Sequence, residues 1–424
     1  MITRSLLHHV TITDRGFSRF WASGLLLLIG VTWPLWFSRL HDSYPSVPLL
    51  PIPAAMLPMA LLIGCGCSLA LIFSLAWIAI GKGSRNSWLA CASMLLIGFL
   101  IDQHRIQPWA YQSFFYGIMF AFIPVDAWKR WMRPLIVSIY AFSALGKLDA
   151  QFLNTVGRDF VEMLTNYLPG TLSAQAQRNR VILSASLPIT ELLIAGSLCF
   201  VRLRVFGSIS AIAMHLSLIA ILGPWAKNHS LGVLIWNALL IGQHVYLIGA
   251  NENANLKTLT SPVLQGRFGI DKLKMRLVGL LWIIAITAPT LERQGYWDHW
   301  TSWSLYSPHT SRARIELHRS VFHELNDLQQ ASLITDHDLD QWQEISLGDW
   351  SLSSRGVPVY PQSRYQLELA AIIASQLNTA DGIRVKLQSV SDRRTGGRRE
   401  ELLLNLQEIN QARRNFWLHP QPNS

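Results

Sequence analysis

Residues 54–80 carry no charged side chain. As a helix they reach about 40 Å at 1.5 Å per residue, more than the roughly 30 Å of a bilayer's hydrocarbon core. A chain holding such a segment must bury it in a large protein core or place it in lipid, and the remaining sequence favours lipid. Half of the 424 residues are hydrophobic, 15% are charged and the mean hydropathy is +0.25, whereas about a quarter of the residues of a soluble domain are charged. Further apolar runs follow the same logic at 17–38, 87–101, 108–124, 131–146, 181–200, 205–224, 231–249 and 277–291, which makes nine spans. The run at 17–38 follows Arg4, Arg15 and Arg19 but has no A-x-A site after it, so it reads as a retained first span and not a signal peptide.

The charge distribution gives the expected orientation. Residues 1–291 hold 22 Lys and Arg against 10 Asp and Glu, and the remaining 133 residues hold 14 against 16. The excess of +10 therefore lies on loops between apolar runs, the pattern of membrane topology and not of nucleic-acid binding. With the amino terminus inside, fifteen basic residues fall on the cytoplasmic side, against seven on the other (Arg39, Arg105, Lys147, Arg158, Arg178, Arg180 and Lys227). An odd number of spans then puts the tail outside, in the periplasm if the host membrane is a bacterial inner membrane. The expected fold is an all-α polytopic membrane bundle, residues 1–291, followed by a small C-terminal α+β extramembrane domain, residues 292–424.

That tail opens on a Trp-rich stretch, 296–306, whose amphipathic rings suit the membrane surface. Alternating residues at 314–318 and 383–390 predict strands, 365–377 a helix, and Thr395-Gly396-Gly397 before 401–406 a hairpin. The tail histidines His299, His309, His318, His323 and His337 show no H-E-x-x-H spacing, and there is no G-x-S-x-G or nucleotide loop. Asp336, Asp338 and Asp340 alternate like the start of an EF-hand but lack its glycine, so a solvated acidic loop is expected. Cys65, Cys67, Cys91 and Cys199 form no C-x-x-C and read as small core hydrophobes.

Ionisable groups at membrane depth cost free energy unless paired or hydrated, which makes them functional candidates. They are Glu191, His215 and His244 within spans, and Asp102, His104, Arg105 and Lys147 at span ends. Glu191 and His215 lie at similar depth in consecutive helices, so they are expected to face each other, either as a structural tie or as a proton relay. Asp102, His104 and Arg105 read as a tight polar turn with one Asp/Arg pair. Lys147 ends its span: partly desolvated it would serve as a base, and as a helix C-terminal lysine paired with Asp149 it would only cap the helix.

The segment Ser143-Ala-Leu-Gly-Lys147-Leu148-Asp149, with Phe152 and Gly157, resembles the Lys-Leu-Asp segment of the HTTM family, the membrane domain shared with vitamin K-dependent γ-carboxylases. That resemblance implies Lys147 as catalytic base. Lys147, Tyr167-Leu168-Pro169, Pro188-Ile-Thr-Glu191-Leu192, Arg202-Leu-Arg204-Val-Phe-Gly207 and His215 are similar to the DoxX/MauE group of redox-associated membrane proteins. Together these likenesses cover residues 134–249, roughly a quarter of the chain. The chain departs from both, since the carboxylases have a far larger luminal region and DoxX/MauE proteins have fewer spans and no outer domain. The resemblances imply an accessory component of redox or quinone-linked membrane chemistry, with Lys147, Glu191 and His215 as candidate catalytic residues and a quinone as candidate cofactor. The alternatives are a quinone-dependent enzyme using Lys147 as base, for which these three residues must converge on one cavity, and a scaffold docking a periplasmic protein through residues 292–424.

Overall fold

The structure, a computed structural model, describes residues 12–37, 44–165, 169–226, 229–249, 270–334, 340–377 and 381–418. Tyr167, Leu168, Asp336, His337 and Asp338 lie outside the described residues. Helices α1 (Asp14–Val31), α2 (Leu57–Ala79), α3 (Arg85–Ile101), α4 (Pro108–Phe122), α5 (Trp128–Lys147), α6 (Val156–Thr165), α7 (Arg180–Cys199), α8 (Arg204–Leu222), α9 (Leu231–Ile248) and α10 (Ile270–Thr287) form the apolar part. Start signals are local: Ser84 and Ser87 form a capping box on α3, Thr13 caps α1, and Pro108 opens α4 where its missing N–H costs nothing.

Among the described residues, five helices are long and apolar enough to cross a membrane: Leu57–Ala79, Arg180–Cys199, Arg204–Leu222, Leu231–Ile248 and Lys272–Leu291. The other four expected spans are helical but differ in character. Helix α4 has 15 residues, of which 13 are buried, so it rises only about 22 Å and is enclosed by protein on all sides. A helix apolar all round is then a core element and need not match bilayer thickness. Helix α5 begins with Lys129, Arg130 and Arg133 and ends at Lys147, with its buried face turned inward. The cysteine expectation holds for Cys91, which is buried, but Cys199 is exposed at the end of α7.

The helix ends collect on two faces. On one, Arg19 Nε donates to Ala79 O at 3.0 Å, Tyr246 OH to Asp14 Oδ1 at 2.6 Å and Lys129 Nζ to Tyr246 O at 2.8 Å, joining the start of α1, the end of α2, the start of α5 and the end of α9. The tail covers the opposite face. Its sheet is antiparallel in the order β2-β1-β3-β4, with β1 Arg312–His318, β2 Trp342–Ile345, β3 Ile383–Gln388 and β4 Glu400–Leu403. Ala313, Ile315 and Leu317 alternate inward against helix α12 (Ser363–Gln376). The expected strands, helix and hairpin are present, while β2 and α11 (Leu347–Arg355) add to them.

One continuous hydrophobic core runs from Phe17 and Trp21 through Trp109 and Tyr111 to Trp303, Tyr360 and Tyr365. The Trp-rich stretch, expected on the membrane surface, therefore sits mostly inside the seam between tail and helices. Trp303 is fully buried against Tyr111, with ring centroids 5.1 Å apart, and Trp300 packs edge-on to Tyr360, while Tyr296 stays exposed. The turn at 102–105 is buried too, and its ion pair differs from the local one expected. Asp102 faces Arg355 of α11 at 3.5 Å, His104 Nε2 meets Pro358 O at 2.9 Å, and Arg105 donates to Leu35 O and Trp36 O. Arg355 also donates to Tyr44 O at 2.8 Å and is 0% exposed. Gly356, at φ +68°, ends α11 in the left-handed conformation, where a side chain would be strained although a Cβ would meet Val31 O only at an ordinary contact distance of 3.5 Å.

Removing one partner from a fully buried pair leaves the other charge desolvated and alone, at a cost of about 3–5 kcal/mol. Arg355→Ala is therefore expected to loosen the tail, read as a lower unfolding temperature in detergent and faster protease release of fragments after residue 292. Arg355→Lys should recover little, because an ammonium cannot reach Asp102, Leu35 O and Tyr44 O together.

Candidate functional site

Helix α5 carries the centre of the site on one face. Ser143 and Lys147 are one turn apart, and Tyr140 lies two turns before Lys147. Lys147 Nζ donates to Ser143 Oγ at 2.6 Å and to both carboxylate oxygens of Glu191 on α7, at 2.7 and 2.9 Å. Lys147 is 4% exposed and Glu191 8%. A bidentate contact of this kind, dry on both sides, offsets the desolvation of each charge through the other.

Lys147 is therefore neither the solvent-facing cap nor the lone desolvated amine envisaged from the sequence. Asp149, its expected partner, is turned away and buried: Oδ1 caps the next helical turn at Gln151 N, 2.8 Å, and Oδ2 accepts from Arg293 at 2.8 Å. The rest of the motif is packing. Phe152 is fully buried, and a Cβ on Gly157 would lie 2.9 Å from both the Phe152 ring and the Ser184 side chain, so only glycine lets this segment close on α7.

The expected Glu191–His215 contact does not form. His215 instead joins a second buried chain whose hydrogen-bond directions follow from donor inventory. Asn237 Nδ2 donates to Val233 O at 2.9 Å, which turns Asn237 Oδ1 toward His215 Nδ1 at 2.8 Å, so Nδ1 carries the proton. His215 Nε2 must then accept from Tyr140 OH at 2.7 Å, and Tyr140 in turn accepts from His244 Nε2 at 2.7 Å. That leaves His244 Nδ1 unprotonated, buried and without a hydrogen-bond partner. The two groups share no hydrogen bond, although Tyr140 of one and Ser143 and Lys147 of the other stand on the same face of α5. A further buried knot of Gln112, Tyr116, Gln243 and Trp236 lies beside it.

The tail closes over the end of α5. Ala150 N donates to Arg393 O at 2.9 Å, Arg398 donates to Gln151 Oε1 at 2.7 Å, and a Cβ on Gly146 would stand 2.7 Å from Ser307 Oγ. Here Glu292, half-buried beside Arg293, meets His299 Nδ1 at 2.8 Å and His309 Nε2 at 2.8 and 3.0 Å. Burial pushes the Glu292 carboxyl up, but the two histidine hydrogen bonds outweigh it and hold it well below the usual carboxylate range; burial pushes His309 down against the pull of Glu292. Trp303 and Tyr306, within the same stretch, adopt left-handed backbone angles of 60° and 58°, a strain of about 1–2 kcal/mol each that the seam must hold.

Of the sequence candidates, Lys147 and Glu191 come together and His215 stands apart. Three cavities stand out among the described residues, and none is lined by any of the three. One, of about 240 Å³, lies under the tail between Trp109, Trp236, Trp300 and Tyr306, with His229 and His299 in its wall. Sequence reading missed Tyr140, Asn237, Glu292, His299 and His309 as site residues. Tyr140 alone had a usable signal, its helical spacing from Lys147. No family model, no curated protein and no solved structure matches the chain.

The Lys147–Glu191 pair is testable without an assay. Lys147→Met is expected to lower stability by about 3–5 kcal/mol because Glu191 stays buried alone, and Lys147→Met/Glu191→Leu should recover most of that loss. Thermal unfolding in detergent reads both; equal losses in the single and double variants would mean the pair is not coupled.

Proposed function

We propose that the chain is a multi-pass membrane protein of the DoxX/MauE/HTTM kind that handles protons for redox or quinone-linked membrane chemistry. The observation that carries this reading is the buried Lys147–Glu191 pair with the directed chain His244–Tyr140–His215–Asn237 beside it. Such an arrangement holds exchangeable protons out of water, and its members are paired with one another, as in an accessory or relay centre more than an open substrate site. The aromatic walls of the cavity under the tail, Trp109, Trp236, Trp300 and Tyr306, with His229 and His299 as polar contacts, fit a flat ring the size of a quinone head. A quinone bound there would supply reversible two-electron, two-proton redox chemistry. In this reading the chain's own residues stack on the ring, and Lys147 at the adjacent end of α5 keeps a proton store with Glu191 of α7.

The nine-span topology with an external tail belongs to the same proposal. It is supported by the tail's contacts with Leu35, Tyr44, His104, Leu145 and Gln151 and by the cavity wall at 229–233, all of which the charge alternation puts on the tail's side. A periplasm-active reporter fused after Arg319 is expected to be active and a cytoplasm-active one silent; the opposite result would end the topology.

The functional reading predicts that protein purified in mild detergent carries an extractable isoprenoid quinone, identified by mass spectrometry, and that Trp109→Ala/Trp236→Ala reduces it severalfold. Preparations free of any lipid-soluble redox cofactor would count against it. Lys147→Arg and Lys147→Ala should both impair function in the host, because arginine keeps the charge but not the geometry toward Glu191 and Ser143.

A further inference from the structure

Glu292, His299 and His309 bring one ligand atom each to within 4.8 Å of one another, with both histidines buried. We propose that they form a zinc-class divalent metal site at the joint between the tail and α5. This goes beyond the proton-handling reading and does not depend on Lys147 or on a quinone.

The argument starts from His309. Its Nδ1 lies 3.1 Å from Gly146 O, which can only accept, so Nδ1 carries a proton and donates. The ring's Nε2 faces the two Glu292 oxygens, at 2.8 and 3.0 Å, and is the nitrogen left to bind a metal. Without a metal, a proton on Nε2 makes this contact a hydrogen bond; a divalent ion would take the place of that proton between the nitrogen and the carboxylate. A ring whose far nitrogen donates to a backbone carbonyl is also the usual orienting arrangement behind a metal-bound histidine.

His299 Nδ1 reaches the same Glu292 oxygen at 2.8 Å, and the two rings stand with centroids 5.1 Å apart. Two imidazole nitrogens and a carboxylate make a borderline donor set that suits zinc. Metal–ligand distances of about 2.0–2.2 Å separate neighbouring ligands by roughly 3.3 Å, so each histidine nitrogen, now 2.8 Å from Glu292 Oε1, needs to draw back from it by only about half an ångström. Three protein ligands leave a fourth position for water or for a ligand from the 240 Å³ cavity that His299 lines. The nearby hydroxyl of Ser304 donates to Glu292 Oε2 at 3.4 Å and orients the carboxylate. Because His309 grips Gly146 of α5 while Glu292 and His299 belong to the tail segment, a bound ion also fastens that segment to the helix end.

The test uses the full chain purified in detergent without a polyhistidine tag, stripped with a chelator, incubated with Zn²⁺ and desalted. Elemental mass spectrometry should find about one zinc per chain, and Co²⁺ in its place should give the intense visible absorption of a four-coordinate centre. His299→Asn, His309→Asn and Glu292→Gln should each lower retained metal at least tenfold, while His318→Asn and His323→Asn keep it. Zinc should also raise the unfolding temperature of the wild type and not of His309→Asn. If the site variants fail to fold, the wild type still decides. A stripped wild type that retains no zinc, or a cobalt spectrum of six-coordinate type, means a hydrogen-bonded triad and overturns the proposal, as would undiminished metal in folded His299→Asn and His309→Asn.

Discussion

Everything at the centre of this molecule depends on how the end of helix α5 is closed. A lysine there would ordinarily snorkel to water. It does not, because Glu191 meets it bidentately and because the tail seals the turn that follows, Asp149 to Arg293 and Gly146 to His309. Burial of the ammonium and docking of the tail are thus parts of one solution. With water kept out, the Lys147–Glu191 contact is electrostatically stronger than at a surface, and the same dryness makes any loosening of the tail costly to the pair.

The seam also explains why the tail shares a core with the helices. Asp102 and Arg355 are both fully buried, and neither tolerates that without the other. Trp303 fills the space above Tyr111, and its left-handed backbone is held by packing on both sides. Sheet β2-β1-β3-β4 has an ordinary alternating inner face, so its helices and strands could form from local pattern alone. The position of the sheet over the bundle rests on that shared core together with a few long-range polar contacts.

What was legible in the sequence follows the range of the forces involved. Uncharged runs such as Leu57–Ala79 and the alternation of β1 and β3 are written in adjacent residues, and both are present. Helix α4 was harder, since a short apolar run looks the same whether lipid or protein surrounds it. Strand β2 is only Trp342-Gln-Glu-Ile345, with no clear alternation. Lys147 and Glu191 were both legible as buried ionisable groups, yet their pairing was not. Asp149 stands two residues from Lys147 and looked the better partner, while its true one, Arg293, is 144 residues distant. The Glu292, His299 and His309 cluster follows no motif spacing, because the irregular stretch that carries it obeys no helix or strand period.

The buried ion pairs of the seam have an implication for how the protein is made. Synthesis proceeds from the amino terminus, so Asp102 and Asp149 are in place long before the ribosome has reached Arg355 and Arg293. During that interval the helices present two acidic groups on the side that the tail will cover, still hydrated and waiting. The bundle reaches its final form only when the last third of the chain has arrived on that same side, which makes delivery of the tail the closing step of assembly.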